Sequence, residues 1–239
     1  MRKLGYILLG MTAICAVSPA TAASLQVSPI LVDVAAEGAA ASTVTLKNSS
    51  AKAVSAQLRV FRWSQVNGED KFEETTDVAA SPPMVTMKPN GEYVIRVVRT
   101  SRAPIKGEES YRLVADELPD PAAKASGAIN LLVRHSVPVF FRSTNASPAQ
   151  VVWNVSKKSG KLVVEGRNNG DRRVRVARLK ADDGAGNAVS YGDGLVGYVL
   201  GKSSVAWTSR TSLKGFSGNS ARLSLTSEAG PVAADAPLR

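Results

Sequence analysis

The side chains that most often carry catalysis or bind metal ions are scarce in this sequence. Its 239 residues include one cysteine, Cys15, and one histidine, His135. A Cys/His-rich metal site needs three or four such ligands, so that class of site is excluded. A Ser-His-Asp or Cys-His hydrolase would have to work through His135 alone. The sequence therefore offers no convincing pair of nucleophile and base, and it predicts a protein that is not an enzyme and uses no metal or cofactor.

The acidic clusters of the chain do not have the spacing of a functional site either. Asp182 and Asp183 precede a glycine, and Asp193 lies between two glycines. A calcium loop needs several spaced oxygen ligands closed by an acidic residue, so turn chemistry explains these positions better. Asp116 and Glu117 lie close together as well, but sequence alone shows no glycosidase pair there.

Positive charge dominates, with 30 Lys and Arg against 20 Asp and Glu and a formal net charge of +10. The most basic stretch contains Arg172, Arg173, Arg175 and Arg178. Nucleic-acid binding requires aromatic residues interleaved with such a stretch, and they are missing here. We therefore interpret the stretch as an exposed basic face and expect no nucleic-acid partner.

The N-terminal residues 1–22 have the three parts of a secretory signal peptide. Arg2 and Lys3 are followed by an apolar segment over 4–17 and by the small-residue site ATA at 20–22. Cleavage there would remove Cys15, so the mature chain cannot form a disulfide and must be stabilised by a buried core. No later stretch has 18 consecutive apolar residues, which predicts no membrane insertion. The expected location is the bacterial periplasm.

The remaining chain has the pattern of an all-β protein in two halves. Short segments rich in Val, Leu, Ile and Thr alternate with turn signals such as Asn67 and Gly68. The pattern breaks at STNASPAQ, near 143–150, and a second series of strands follows. We expect a first domain over 23–143, a linker over 144–150 and a second domain over 151–239. Each has the size of an immunoglobulin-like β-sandwich.

One strand in the first half is unusually long. In INLLVRHSVPVFF, which begins at Ile129, the apolar residues Ile129, Leu131 and Val133 share one face. About 13 residues is more than twice the usual strand length. Such a row fits a central core strand, but it also fits a strand that extends beyond its own domain. A partner's sheet could then cover it by strand addition.

Six motifs in the first half, taken in order, resemble one family. They are SL at 24–25, VTLKN at 44–48, SPP at 81–83 with MKPNG at 87–91, VIRV at 94–97, EESYRL at 108–113 ending in ELP at 117–119, and VPVFFR at 137–142. The family is the periplasmic pilus-assembly chaperones of the chaperone–usher pathway. GYVLG at 197–201 and Trp207 resemble the second domain of these chaperones less specifically.

The resemblance implies a fold and an activity. The fold would be two immunoglobulin-like domains in a boomerang arrangement. The activity would be to bind and stabilise pilin subunits by donor-strand complementation and to deliver them to an outer-membrane usher. Ile129, Leu131 and Val133 would then be the donor residues that fill an incomplete pilin groove.

The family's best-known branch anchors the pilin's C-terminal carboxylate with an Arg and a Lys, and this chain departs from that pattern. Alignment places Pro29 and Pro138 at those two positions, so the chain is more similar to the archaic branch. A buried carboxylate still needs a cation, preferably a guanidinium. Arg112, on the strand that the family places beside the donor strand, is the first candidate anchor, and Arg134 is the second.

Three further charged residues match a family network at the domain junction: Arg96, Glu108 and Arg142. Glu109 could replace Glu108, because the register is uncertain by one residue. We interpret Trp63, Trp153 and Trp207 as core aromatics, with Trp153 as the candidate for the domain interface. The alternative function is a secreted two-domain adhesion or glycan-binding protein, because a fold alone does not fix a function.

Overall fold

A computed structural model of the protein describes residues 24–120, 131–212 and 215–239. The predicted signal peptide at 1–22 and the donor residue Ile129 lie outside the described residues. The strands of the first half are β1 (Leu25–Ser28), β2 (Val32–Ala35), β3 (Ala40–Asn48), β4 (Val54–Val66), β5 (Glu69–Glu74), β6 (Val78–Ser81), β7 (Met84–Met87), β8 (Glu92–Arg99), β9 (Glu108–Glu117) and β10 (Arg134–Arg142).

The second half contains eight further strands. They are β11 (Val151–Lys158), β12 (Lys161–Asn168), β13 (Val174–Asp182), β14 (Ala188–Ser190), β15 (Leu195–Val199), β16 (Ser204–Thr208), β17 (Ser220–Ser227) and β18 (Gly230–Pro237). All regular structure in the described residues is therefore strand, as the sequence predicts. Those residues contain no helix long and apolar enough to cross a membrane.

Alternating side chains and turn residues explain why these segments form strands. In β17, Ala221, Leu223 and Leu225 are buried, while the residues between them face outward. This period of two is that of a strand with one face against a core. Asn67 and Gly68 form the two-residue connection between β4 and β5, both with positive φ (55° and 81°). Such a hairpin turn requires that conformation, which Asn and Gly adopt most easily.

Each half is a sandwich of two sheets. The first has a sheet in the order β1-β3-β8-β6 and a sheet in the order β2-β10-β9-β4-β5, in which β7 also pairs with β4. The second has sheets β11-β12-β16 and β14-β13-β17-β18, with β15 on β13. Each half has its own buried cluster, exemplified by Ile95 and Leu113 in the first and by Leu162 and Leu223 in the second. The chain between Arg142 and Val151 joins the two without forming a strand.

The expected long strand is shorter than predicted. Within the described residues β10 begins at Arg134, and residues 131–133 before it are not part of a strand. The neighbouring strand β9 ends at Glu117, whose N–H donates to the Val133 carbonyl oxygen at 2.9 Å. Beyond that bond β9 offers no further backbone with which this segment can pair. The alternating apolar pattern therefore extends to residues that precede β10 and lie beyond the end of β9.

Candidate functional site

Strand β10 has a neighbouring strand along the whole of one edge but along only part of the other. At the first edge, β9 pairs with β10 from Arg134 to Arg142. At the second edge, β2 runs parallel to β10 and pairs with residues 139–142 alone. Residues 134–138 therefore have no strand partner on this side among the described residues. An open edge of this kind presents unpaired N–H and C=O groups, which is a template for adding a strand.

Exposed apolar side chains lie next to this open edge. Leu131 is 87% exposed and Leu132 is 49% exposed, although both are large hydrophobic residues. Ile30, which lies between β1 and β2, is 81% exposed. Of the predicted donor residues, Leu131 is thus open to solvent, Val133 is half-buried and Ile129 lies outside the described residues. The alternation of β10 places Val137 in the core, and Val133 and Leu131 have the same parity.

The predicted anchor Arg112 lies on β9 directly opposite the buried Pro138. Its guanidinium carbon is 4.0 Å from the centroid of the Trp63 ring and 6.0 Å from that of Tyr198 in the second domain. The Nε atom of Arg112 is buried and has no hydrogen-bond partner among the described residues. Burial lowers the pKa of Arg112, since desolvation outweighs the nearby negative groups. The site therefore holds a partly desolvated positive charge that forms no salt bridge among the described residues.

Arg112 also lines a cavity of about 390 Å³ on the outer face of the sheet. The other lining residues are Arg59, Phe61, Phe72, Val114, Arg134 and Ser136. This combination of aromatic rings and guanidinium groups suits a ligand that is apolar along its length and negatively charged at its end.

The second predicted anchor, Arg134, is already paired. Its Nε donates to the Asp116 carboxylate, which also accepts from Arg59 Nη2 at 2.6 Å. Burial alone would raise the pKa of Asp116, but the hydrogen bonds from Arg134 and Arg59 lower it below its ordinary value. Arg134 is 68% exposed, so water also screens its charge. The structure thus brings both predicted anchors to one cavity, but only Arg112 is without an acidic partner there.

The charges at the domain junction differ in part from the predicted network. Glu108 accepts from Arg173 Nη1 at 2.7 Å, and Arg173 Nη2 donates to Asp33 at 2.9 Å. Arg142 Nε donates to the same Asp33 at 3.1 Å. The structure therefore connects Glu108 and Arg142 through two residues that the sequence did not indicate. Arg173 is only 7% exposed, so its assignment to an exposed basic face is wrong.

Arg96 is not part of this cluster. It lies on β8, in the opposite sheet of the first sandwich, and its side chain is exposed. Alternation along β8 turns Arg96 outward while Ile95 and Val97 fill the core. The buried arginine of this strand is Arg99, which bonds both carboxylate oxygens of Glu109 at 2.8 Å. Glu109 is therefore engaged within the first domain, and Glu108 is the residue that reaches the second.

Desolvation affects the junction carboxylates differently. Burial raises the pKa of Glu108, and the charge and hydrogen bonds of Arg173 offset only part of that effect. Burial also acts on Asp33, but there Arg173 and Arg142 together lower the pKa below the ordinary 3.8. The difference follows from exposure, since Glu108 is 1% exposed and Asp33 29% exposed.

Aromatic packing completes the junction. Trp63, Phe140, Tyr198 and Leu200 form a buried cluster of their own between the two cores. The Gln65 amide donates to the Tyr198 carbonyl oxygen at 2.7 Å, and its Oε1 accepts from Leu200 N at 2.9 Å. Trp63, rather than the predicted Trp153, is therefore the interface tryptophan. Trp153 lies in the core of the second domain beside Trp207.

Two other polar groups that the sequence singles out have structural partners. His135 Nε2 lies 2.7 Å from the Leu25 carbonyl oxygen. The Asp183 carboxylate accepts from Asn187 and from the backbone N–H of Ser217, as expected for loop-closing bonds. The described part of the chain holds no group of three or more side chains that could bind a metal ion.

Comparison with known proteins identifies the first domain. Residues 24–147 match the family model described as pili and flagellar-assembly chaperone, PapD N-terminal domain. That match covers more than half of the chain. A search of curated proteins gave no similar sequence.

Several solved structures share the fold. One is a chain of the CsuC–CsuE chaperone–tip adhesion subunit pre-assembly complex, from the archaic chaperone-usher Csu pili of Acinetobacter baumannii. It is 24% identical to this chain, with a TM-score of 0.68, and the match covers 91% of this chain and 100% of that one. The CupB2 chaperone of Pseudomonas aeruginosa is 22% identical, with a TM-score of 0.56, over 89% and 100%. The E. coli chaperone DraB is 18% identical, with a TM-score of 0.57, over 90% and 98%. At these identities the likeness concerns the two-domain fold.

Proposed function

Since this chain belongs to the pili and flagellar-assembly chaperone family, we propose that it is a periplasmic chaperone that caps pilin subunits by lending them a strand. It would hold each subunit in a folded state and deliver it to an outer-membrane usher. The open edge of β10 is the observation that supports this function most directly. No catalytic step is involved, because the binding of a strand to a sheet edge changes no covalent bond.

The open edge supplies the polar part of the interaction. Among the described strands, only β9 pairs with residues 134–138, so a subunit strand can add to their other side through backbone hydrogen bonds. Pro138 has no N–H to donate, and β2 occupies the edge from Val139 onward. The added strand would therefore pair with residues that precede Pro138. We call residues 131–137 the donor segment.

The apolar row supplies the driving force. Ile129, Leu131 and Val133 have the parity of the core-facing residue Val137, and Leu131 is 87% exposed. A large aliphatic side chain gains roughly 1.5–3 kcal/mol when it is fully transferred from water to an apolar groove. We propose that this row enters the incomplete core of the subunit and is covered there.

Arg112 is the proposed anchor for the subunit's C-terminal carboxylate. Its guanidinium lies against Trp63, and its buried Nε has no hydrogen-bond partner within residues 24–120, 131–212 and 215–239. A carboxylate that reached it would form a charge-assisted hydrogen bond in a poorly hydrated site, where such bonds are strongest. Arg134 would contribute less, because Asp116 already neutralises it. Glu108 and Arg142, with Asp33 and Arg173, would instead fix the orientation of the two domains.

Co-expression with a pilin subunit tests the proposal. An affinity-tagged chain and a pilin lacking its partner subunits would be produced together in the periplasm. We expect an equimolar complex after purification, and degradation of the pilin when the chain is omitted. Location is tested separately by fractionating the cells. A pilin that is equally stable and unbound with and without the chain would contradict the function.

A further inference from the structure

Ser24, which directly precedes β1, is linked through the side chain of Glu117 to Val133 in the donor segment. Ser24 Oγ donates to Glu117 Oε2 at 2.7 Å, and the N–H of Val133 donates to the same oxygen at 3.2 Å. Glu117 N–H in turn donates to the Val133 carbonyl oxygen at 2.9 Å. The Glu117 carboxylate at the end of β9 thus connects two segments. One is Ser24, just before β1 of the first sheet, and the other is the donor segment, which leads into β10 of the second sheet.

A second contact joins the beginning of β1 directly to β10. Ser24 turns its carbonyl oxygen toward β3, where Ser49 N–H donates to it at 2.7 Å. Backbone groups alternate along a strand, so the carbonyl of Leu25 points to the open side of β1. There it lies 2.7 Å from His135 Nε2. His135 is on β10, two residues after Val133, so both bonds fasten the same short stretch.

These bonds lie at the point where the donor segment no longer pairs with β9. β9 ends at Glu117, and Leu131 is already 87% exposed. Glu117 is itself fixed, since the following residue Leu118 donates through its N–H to Ser55 O at 2.8 Å. Among the described residues, Val133 is therefore the first residue of the segment that is fixed by backbone hydrogen bonds, and its N–H donates to the Glu117 side chain.

We propose that Glu117 is a positioning residue for strand donation: it uses Ser24 and Val133 to hold the donor segment extended before a subunit arrives. This inference rests on the proposed function and adds to it. A segment that is already extended loses less conformational entropy on binding, so positioning raises affinity without touching the subunit. Glu117 itself would make no subunit contact in this scheme.

Amide hydrogen exchange in the free protein tests the positioning directly. In Glu117→Ala, we expect the Val133 amide to exchange about tenfold faster, the scale of one lost hydrogen bond. Glu117→Gln keeps one side-chain carbonyl oxygen as an acceptor, so it should restore most of the protection. Glu92→Ala, which removes an exposed partner of Lys47, is the matched control and should change nothing at Val133.

Binding of a denatured pilin subunit, followed as it refolds on each variant, completes the test. We expect Glu117→Ala to bind several-fold more weakly, with Glu117→Gln close to the wild type. Unchanged exchange at Val133, or equal binding by Glu117→Ala and the wild type, would overturn the inference while leaving strand donation intact. If the wild type bound no subunit, the proposed function would fail, and Val133 exchange would still report whether Glu117 holds the segment.

Discussion

The guanidinium of Arg112 stacks on the ring of Trp63, 4.0 Å from its centroid, while its buried Nε has no hydrogen-bond partner in the part of the chain that the structure describes. The aromatic face compensates the charge only in part, since burial still lowers the pKa of Arg112. A partly desolvated cation without a salt bridge makes a folded protein less stable than it could be. Such a cost is typical of a site arranged for a ligand.

Replacement of Arg112 by Met should therefore separate stability from binding. The variant keeps an unbranched side chain against Trp63 and removes the buried charge, so we expect its thermal midpoint to be unchanged or higher. Its affinity for a pilin subunit should fall by roughly 1.5–3 kcal/mol, the scale of a charged hydrogen bond. Thermal unfolding of the free protein and titration calorimetry with the subunit measure the two effects.

A subunit with an amidated C-terminus, made by semisynthesis, provides the double-mutant cycle for this anchor. The loss from amidation and the loss from Arg112→Met should not add, because each removes the same contact. Arg134→Met is the matched control, and it should have the smaller effect because Arg134 is exposed and paired with Asp116. Fully additive losses would assign the carboxylate to another residue.

Leu131→Asp should abolish the complex without unfolding the chaperone. Leu131 is 87% exposed in the free protein, so its replacement removes no core contact. In the complex the new carboxylate would have to enter an apolar groove, which costs several kcal/mol (roughly 2–7 even for an uncharged polar group). Circular dichroism of the free variant and co-purification with a pilin give the two readouts.

Leu195→Asp is the control for that substitution. Leu195 is also exposed, at 58%, but it lies on β15 in the second domain. This variant should fold and should still bind the subunit. A Leu131→Asp protein that loses its own fold, or one that binds as well as the wild type, would show that the row has another role.

The sequence predicted the fold more completely than the site. Strands and turns depend on residues that are neighbours in the sequence, whereas the site depends on residues that are far apart in it. Alternating apolar residues and the Asn67 and Gly68 turn are local signals, and they predicted strands and a hairpin that the structure contains, although β10 is shorter than its pattern suggests. Asp33 and Arg173 meet only because the two domains pack together, across 140 positions of sequence. Arg173 looked like one more cation of a basic stretch, and nothing nearby in the sequence marks it as buried.

The errors have equally specific causes. Arg96 and Arg99 both lie on β8, and only the register decides which of them faces inward. The interface tryptophan was assigned from proximity to the linker, which favoured Trp153. Trp63 reaches the junction instead, because it lies near the end of the outward-facing row of β4, next to Tyr198. Arg112 could be nominated from its strand, but its unpartnered Nε is visible only in three dimensions.

Asp33→Asn should destabilise the junction in a way that depends on pH. The folded-state pKa of Asp33 lies below its ordinary 3.8, so its ionised form favours folding above that value and the benefit disappears as the pH falls through the folded pKa. At pH 7 we expect the free energy of unfolding of the wild type to exceed that of Asp33→Asn by about 1–2 kcal/mol. This is near the lower limit for a charged hydrogen bond, because Asp33 is partly exposed to water. The gap should close toward pH 3.

Urea unfolding of both proteins at several pH values between 7 and 3 measures that gap. Glu108 acts in the opposite sense, because its pKa is raised, and the charge of Asp33 is one cause of that shift. The measured gap therefore combines the contribution of Asp33 with its coupling to Glu108. Glu92→Gln, which changes an exposed carboxylate, is the control and should show almost no gap at any pH. A gap of the same size at pH 3 and pH 7 would mean that Asp33 contributes through packing and not through its charge.

Subunit release should require neither nucleotide nor metal. Strand addition is driven by apolar burial and backbone hydrogen bonds, so a strand that fits the subunit better can displace the chaperone through the difference in affinity alone. The experiment combines purified chaperone–pilin complex with an excess of a synthetic peptide from a pilin N-terminus, in buffer with a chelator and no nucleotide. Free chaperone should appear with time, and a peptide of the same composition in scrambled order should release none. An absolute requirement for added metal or nucleotide would contradict a mechanism based on binding alone, and would direct attention back to a catalytic group in this chain.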